Sequence, residues 1–118
     1  FVYEPITEAN KAECLAFGEK WCDDRIDEDP TLICEKYAMQ QAFSNFEALE
    51  LRGGAIRING KIEAFSFGKK INDDTAVLHV EKANGAIRGL YTAIKSPIIR
   101  NLCSKNTALL LAEVCHGL

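Results

Sequence analysis

An Asn-Gly pair near the middle of the chain sets the tightest limit on the fold. A two-residue type I′ turn needs positive φ at both central positions, and Asn59-Gly60 tolerates that conformation best. The pair therefore predicts a hairpin with antiparallel strands near Ala55–Asn59 and Lys61–Gly68. A third strand, near Thr75–Glu81, is expected beside the second, after a turn at Asn72-Asp73-Asp74.

The second strand of this hairpin carries apolar side chains on both sides. Ile62, Ala64 and Ser66 alternate onto one face, and Phe65 and Phe67 onto the other. A strand of this kind belongs inside a sheet that is covered on both faces.

Two helices are predicted before the hairpin, after an extended lead-in or linker remnant at residues 1–6. Thr7 can cap the first helix, whose apolar stripe comprises Cys14, Phe17, Trp21 and Cys22. The acidic run that follows, residues 23–29, is most simply a solvated loop, although clustered carboxylates can also bind a divalent cation.

The second helix should begin at Asp29-Pro30 and run from Pro30 to about Leu49. Asp accepts hydrogen bonds from the first-turn amides, and Pro fits the first helical position. The stripe predicted to face the sheet comprises Cys34, Ala38, Gln41, Ala42, Asn45, Phe46 and Leu49, with Tyr37 and Phe43 nearer its edges.

After the third strand, the residues Lys82–Ala86 are expected to form a loop leading into another helix. Ile87, Leu90, Tyr91 and Ile94 would be its apolar positions, and Ser96-Pro97 would end it. The segment Thr107–Cys115 is apolar enough to be a buried strand or a helix, and its length does not decide between them.

Composition narrows the class of protein. The chain has 118 residues, which predicts a single domain over 1–118, and its net charge of −3 argues against a partner bound through a nucleic-acid backbone. No stretch is long and apolar enough for a membrane helix, and the start lacks the form of a signal peptide, so we expect a cytoplasmic protein. Five cysteines without a Cys-x-x-Cys spacing and only two histidines indicate reduced thiols and no metal site.

The residues around the third strand resemble a known family. The string Leu78-His-Val-Glu-Lys-Ala-Asn84, followed by Ile87, Gly89 and Tyr91, and preceded by an Arg-Gly-Gly hairpin start, is similar to the acetyltransferase-like domain of the DUF2156 family. That domain is similar to the C-terminal domain of phosphatidylglycerol lysyltransferases and has the fold of GCN5-related N-acyltransferases (GNAT). The resemblance covers roughly Asp29 to Ile94, and the family's later motifs are not reproduced after Lys95.

The resemblance implies a GNAT-like α+β fold: a mixed, largely antiparallel sheet with helices on both faces, incomplete at its C-terminus. It also favours a strand over Thr107–Cys115. In such folds the strand matching Thr75–Glu81 splays from its neighbour and binds acyl-coenzyme A (acyl-CoA), and the following loop and helix start receive the pyrophosphate. An aminoacyl-tRNA donor is the other possibility that the resemblance implies. The donor-binding residues would be Val80, Asn84, Gly85, Ala86, Arg88 and Gly89.

Two side chains of the third strand are candidates for the general base of acyl transfer. Glu81 and His79 are expected to share one face with Val77 and Thr75, and either can take a proton from an attacking amine or hydroxyl. The alternatives are a partly buried histidine that is hydrogen-bonded to a neighbour, and a glutamate that is paired with a lysine or arginine. Tyr91 is expected in the core. Without a Ser/His/Asp order or a reactive thiol, direct transfer is favoured over covalent catalysis.

A different class of function is also open. The alternative is a non-catalytic acyltransferase-like module that serves in packing or partner binding, because the usual phosphate-loop pattern, Gln/Arg-x-x-Gly-x-Gly/Ala, is matched here only at Gly89. An apolar surface left by a missing neighbouring domain would then favour a homodimer or higher homo-oligomer.

Overall fold

A computed structural model describes residues 2–72, 75–90, 93–94 and 108–111. These residues form one sheet in the order β1-β2-β3-β4-β5, antiparallel throughout except for the parallel pair β4 and β5. The predicted mixed, largely antiparallel α+β fold is confirmed. The elements are β1 (Val2–Pro5), α1 (Lys11–Asp23), α2 (Leu32–Ser44), β2 (Arg52–Ile58), β3 (Lys61–Asn72), β4 (Thr75–Ala83) and β5 (Ala108–Leu111).

The hairpin of β2 and β3 is confirmed at the predicted turn. Asn59 has φ 54° and Gly60 has φ 81°, the left-handed values that a type I′ turn requires. The third predicted strand, β4, lies antiparallel beside β3. Both ends of this part of the sheet extend beyond the predicted bounds, to Arg52 in β2 and to Ala83 in β4.

A β-bulge near the start of β3 corrects the predicted facing of its side chains. Ala64 pairs with Ile56, but Ile62 pairs with the next residue, Arg57, so Glu63 is an extra residue on β3. The extra residue reverses the alternation. Ile62 therefore packs in the same core as Phe65 instead of sharing a face with Ala64.

The sheet is covered on both faces, as its apolar pattern predicted. Helices α1 and α2 cover one face, where the rings of Phe43, Phe46, Phe65 and Phe67 pack together with centroid distances from 5.2 to 6.3 Å. The other face carries a smaller cluster in which Leu90 and Ile94, both helical, are buried against β2, β3 and β4.

Helix α1 buries the predicted stripe but begins later than Thr7. Cys14 and Cys22 are buried, and Phe17 and Trp21 pack against the same core. Residues 7–10 instead form a turn, because Thr7 donates its amide to the Asn10 side chain at 2.8 Å. The helix starts only after this turn has closed.

Helix α2 is shorter than predicted, and its buried stripe differs in part from the predicted one. It ends at Ser44, and the residues facing the core are Leu32, Glu35, Met39 and Phe43, while Cys34 and Leu49 are exposed. Of the predicted stripe, Phe46 is buried just beyond the helix and Ala38 and Ala42 pack against the same core, so the prediction is confirmed there and wrong for Cys34 and Leu49. The choice of face is poorly defined in the sequence because apolar residues occur on several sides of this helix.

The N-terminal segment, expected to be an extended lead-in, is strand β1 at the edge of the sheet. It pairs with β2 from Val2↔Arg57 to Pro5↔Gly54. Arg57 ties this edge together through ion pairs with Glu4 and Glu13, both at 2.8 Å.

At the other edge, β5 confirms a strand within the predicted range Thr107–Cys115, and it runs parallel to the first part of β4. Asn72, predicted to begin the turn before the third strand, is the last residue of β3. The rest of that turn, Asp73-Asp74, lies outside the described residues, as do Tyr91 and the predicted helix end at Ser96-Pro97.

Candidate functional site

The candidate site is built around β4, which carries a bulge at His79. Val80 pairs with Phe67 across the sheet, but Leu78 pairs with the next residue, Gly68, so His79 is an extra residue on β4. Bulges re-aim side chains and are frequent beside active sites.

This bulge corrects the predicted common face of the two candidate bases with Val77. Directly opposed residues point to the same face of a sheet, so Val77, opposite Lys69, lies on the α1/α2 face with Val80, opposite Phe67. Glu81, opposite Ser66, lies on the other face. The alternation of side chains between the two faces is therefore reversed at His79, so Val77 and Val80 share a face although they are three positions apart.

His79 is half-buried, and burial lowers its pKa below the ordinary value, with a further contribution from the positive charge of Lys69. A lowered pKa keeps the imidazole neutral at pH 7, the form that can accept a proton.

Val80 has its side chain in the main core and not at the surface. It is 3% exposed, and its carbonyl oxygen accepts a hydrogen bond from the Ser66 hydroxyl at 3.0 Å. Any contact of Val80 with a donor would therefore be through the backbone.

The loop after β4 is closed around Asn84. The Asn84 amide donates to the Glu63 carbonyl oxygen at 2.9 Å, and the Asn84 side-chain oxygen accepts from the Ala86 amide at 3.0 Å. Lys82 and Ala83, predicted to be in this loop, belong to β4. The Ala86 amide is thus already used within the turn.

The rest of the loop is exposed. Gly85, Arg88 and Gly89 face solvent, and their amides donate no hydrogen bond within the described part of the chain. Gly89 has φ 78°, and the helical residues begin after it, with the Ala93 amide donating to the Gly89 carbonyl oxygen at 3.0 Å. The helix therefore starts at Leu90 and not at Ile87.

A cleft of about 400 Å³ lies between α1, the start of β3 and this loop. Phe17, Trp21 and Ile62 give it apolar walls, and Glu63 and Asn84 line it beside the loop. Its volume is within the range of small-molecule sites.

A buried ion pair lies beneath the site, where sequence reasoning predicted none. Lys82 on β4 is paired with Glu35 on α2, and the two side chains are 5% and 6% exposed. They are 47 positions apart in the chain, and a lysine near a strand end ordinarily indicates an exposed position. The nearest sequence signal was the presence of Glu35 among the apolar residues of α2.

Trp21 joins this pair to the cleft. The Lys82 ammonium lies 4.1 Å from the centroid of the Trp21 ring, and the Arg25 guanidinium lies at the same distance. The indole nitrogen donates to the Ala83 carbonyl oxygen at 3.1 Å. Trp21 is thus fixed by two cations and by the end of β4.

Neither a metal-binding cluster nor a membrane-spanning helix is found among the described residues. In that part of the chain no group of three or more His, Cys, Asp or Glu side chains is arranged to hold a metal ion. Nor does any helix there have the length and apolar character needed to cross a bilayer.

Solved structures share this fold. A conserved protein of unknown function from Bacteroides thetaiotaomicron is 38% identical and aligns with a TM-score of 0.84 over 92% of this chain. The chain spans 37% of that protein's length.

Two acetyltransferases align at lower identity. A predicted acetyltransferase with acetyl-CoA from Clostridium acetobutylicum is 15% identical, with a TM-score of 0.61 over 94% of this chain and 79% of that one. A ribosomal-protein-alanine N-acetyltransferase from Brucella melitensis is 12% identical, with a TM-score of 0.62 over 94% of this chain and 73% of that one. They establish an acetyltransferase-like fold.

Among curated proteins there is no match. The sequence does match a protein family, described as phosphatidylglycerol lysyltransferase, C-terminal, over residues 1–111. Because this match spans nearly the whole chain and agrees with the fold, the chain belongs to the phosphatidylglycerol lysyltransferase C-terminal family.

Proposed function

We propose that this domain transfers an acyl or aminoacyl group directly from acyl-CoA or aminoacyl-tRNA to an amine or hydroxyl acceptor. The observation that carries the proposal is the end of β4. Within the described residues β5 pairs with Thr75–Leu78, and beyond these pairs β4 runs on into an exposed loop containing Gly85, Arg88 and Gly89. In sheets with parallel strands, ligands bind beyond the carboxyl ends of the strands, and unpaired backbone amides in the loops there favour anions.

The donor would lie along β4 and this loop. Its extended arm would pair with backbone groups near Val80, and its phosphates would meet the amides of Gly85, Arg88 and Gly89 and the Arg88 guanidinium. Asn84 and Ala86 would shape the loop, since their mutual hydrogen bond fixes its first turn.

The chemistry proposed is a single displacement at a carbonyl carbon. The acceptor nitrogen or oxygen attacks that carbon as His79 or Glu81 removes its proton, and a new C–N or C–O bond forms. The bond to the donor sulfur or ribose oxygen breaks, and the leaving group takes up a proton. His79 is supported as the base by its neutral form at pH 7.

The family name suggests an aminoacyl donor and a lipid hydroxyl as acceptor. The two donors are distinguished by calorimetric titration with acetyl-CoA and with charged tRNA. Binding of neither would overturn the proposal.

Two variant pairs then test the site. Gly89→Ala should weaken donor binding because φ 78° strains any L residue, whereas Gly60→Ala, which introduces the same kind of strain at φ 81° outside the donor loop, is the control. His79→Ala and Glu81→Gln should each slow turnover if the residue is the base, by about 10²–10⁴-fold. Glu28→Gln, in an exposed turn, is the matched control.

A second candidate is a non-catalytic partner-binding module. Ile33 and Tyr37, one turn apart on α2, are 60% and 63% exposed, which favours a covered surface in an assembly. Under this alternative neither donor binds, and sedimentation shows a homo-oligomer. A monomer at high concentration that binds a donor would reject it.

A further inference from the structure

We propose that the buried Lys82–Glu35 ion pair is a positioning pair: it sets the register of β4 and thereby holds the His79 bulge in place. The register role stands on the fold alone. Its consequence for catalysis rests on the proposed function, because His79, Glu81 and the donor loop are the elements that this register places.

The bulge determines which residues of β4 reach each face of the sheet. After the bulge, Lys82 points to the α1/α2 face, where it meets Glu35, while Ala83 packs on the opposite face with Leu90 and Ile94. If the bulge were lost or moved past this point, residues 80–83 would exchange faces.

The exchanged register is electrostatically excluded. Glu81 would be brought to the α2 face near Glu35, where two carboxylates would share a buried site. Lys82 would be turned towards the apolar cluster that contains Leu90 and Ile94, where burying its charge is costly. Both penalties disappear in the observed register.

The preference for one register of β4 explains the buried ion pair better than a contribution to the free energy of unfolding does. Removing two charges from water offsets much of their attraction, so a buried ion pair often contributes no more than a well-packed apolar pair. What an apolar pair lacks is a penalty for the wrong face, because a leucine or methionine is accepted by either core of this sheet.

Trp21 makes two contacts with β4 that also depend on this register. Its ring accepts the Lys82 ammonium, and its indole N–H donates to the Ala83 carbonyl oxygen, so two consecutive residues of β4 must be in phase at once. Asn84 follows directly and is bound to the Glu63 carbonyl oxygen, which carries this fixed position into the donor loop.

The test compares three proteins with the wild type. Glu35→Leu/Lys82→Met replaces the charges with apolar groups, and Glu35→Gln removes one charge while keeping the shape. Lys36→Met/Asp23→Asn is the matched control, because that pair also joins α2 to another element but is 29% and 52% exposed.

The first readouts do not depend on any donor. We expect the apolar variant to keep a thermal midpoint near that of the wild type, yet to exchange the amides of residues 79–83 about tenfold faster and to shift the His79 ring resonances. Glu35→Gln should show the same local changes if the apolar variant does not fold. The control should show none. Unchanged exchange and unchanged His79 resonances in folded variants would overturn the register role.

Donor affinity is the separate readout for the catalytic consequence. In a wild type that binds a donor, the apolar variant should bind it about tenfold more weakly, and the control should bind it normally. Altered exchange with unchanged affinity would overturn the link between the pair and the site. Failure of the wild type to bind any donor would overturn the proposed function and leave the exchange result standing.

Discussion

Replacing Phe65 by alanine is predicted to be among the most damaging single changes to this fold. The side chain is fully buried in β3, and its ring packs edge-on against Phe17 and Phe43 with centroid distances of 6.1 and 5.6 Å. Because β3 is held on both sides by β2 and β4, the backbone cannot collapse into the space left. We therefore expect a loss near the top of the ~3–5 kcal/mol range for Phe→Ala.

That loss is a large part of the ~5–15 kcal/mol that stabilises an ordinary domain. Urea unfolding followed by circular dichroism measures it: at an m-value of about 2 kcal/mol/M, the midpoint should fall by roughly 2–2.5 M. Phe65→Leu, which keeps most of the volume, should lose less. Tyr37→Ala, at a residue 63% exposed, should change the free energy of unfolding by no more than about 0.5 kcal/mol. A midpoint for Phe65→Ala equal to that of Tyr37→Ala would refute the assignment of this core.

Three further predictions follow from local geometry. Gly60→Ala should lower the free energy of unfolding by about 1–2 kcal/mol, because φ 81° is unfavourable for any residue with a Cβ; an unchanged urea midpoint would contradict the turn. Burial raises the pKa of the Cys14 thiol to about 12, so in a timed alkylation at pH 8, read by mass spectrometry, the exposed Cys34 should react first and Cys14 only on unfolding. The hydrogen bond from Arg57 lowers the pKa of Glu4 in the folded protein. The ionised Glu4 therefore stabilises the fold above its unfolded pKa of about 4.3, and this stabilisation is lost as pH falls through the folded pKa. Glu4→Gln should reduce the fall of the unfolding free energy at acidic pH, and an identical fall in both proteins would argue against the ion pair.

Local signals in the sequence were sufficient for the hairpin of β2 and β3 and for the neighbouring strand β4, but not for β1. Asn59-Gly60 determines its own turn through backbone φ, and the alternating pattern of β3 reports burial on two faces, so neither inference needed knowledge of distant residues. The buried stripe of α1 could also be predicted from neighbouring residues alone, because the polar residues of this helix leave one apolar face.

The bulges and the buried pair could not be read in the same way. The extra residues Glu63 and His79 exist only relative to the strand across from them, and an alternating pattern by itself assumes that none is present. The burial of Lys82 depends on Glu35 and Trp21, which reach it from two helices far away in the chain. Without those partners a lysine in a strand is expected to face water.

The order of the strands also bears on how the chain folds. Strands β2, β3 and β4 follow one another directly, so their pairing closes only short loops, whereas β1 can pair with β2 only after both helices between them have been enclosed. Closing a longer loop costs more chain entropy and slows the contacts that depend on it. We therefore expect the three-strand meander to form early, and the N-terminal strand to complete the sheet late and to open first.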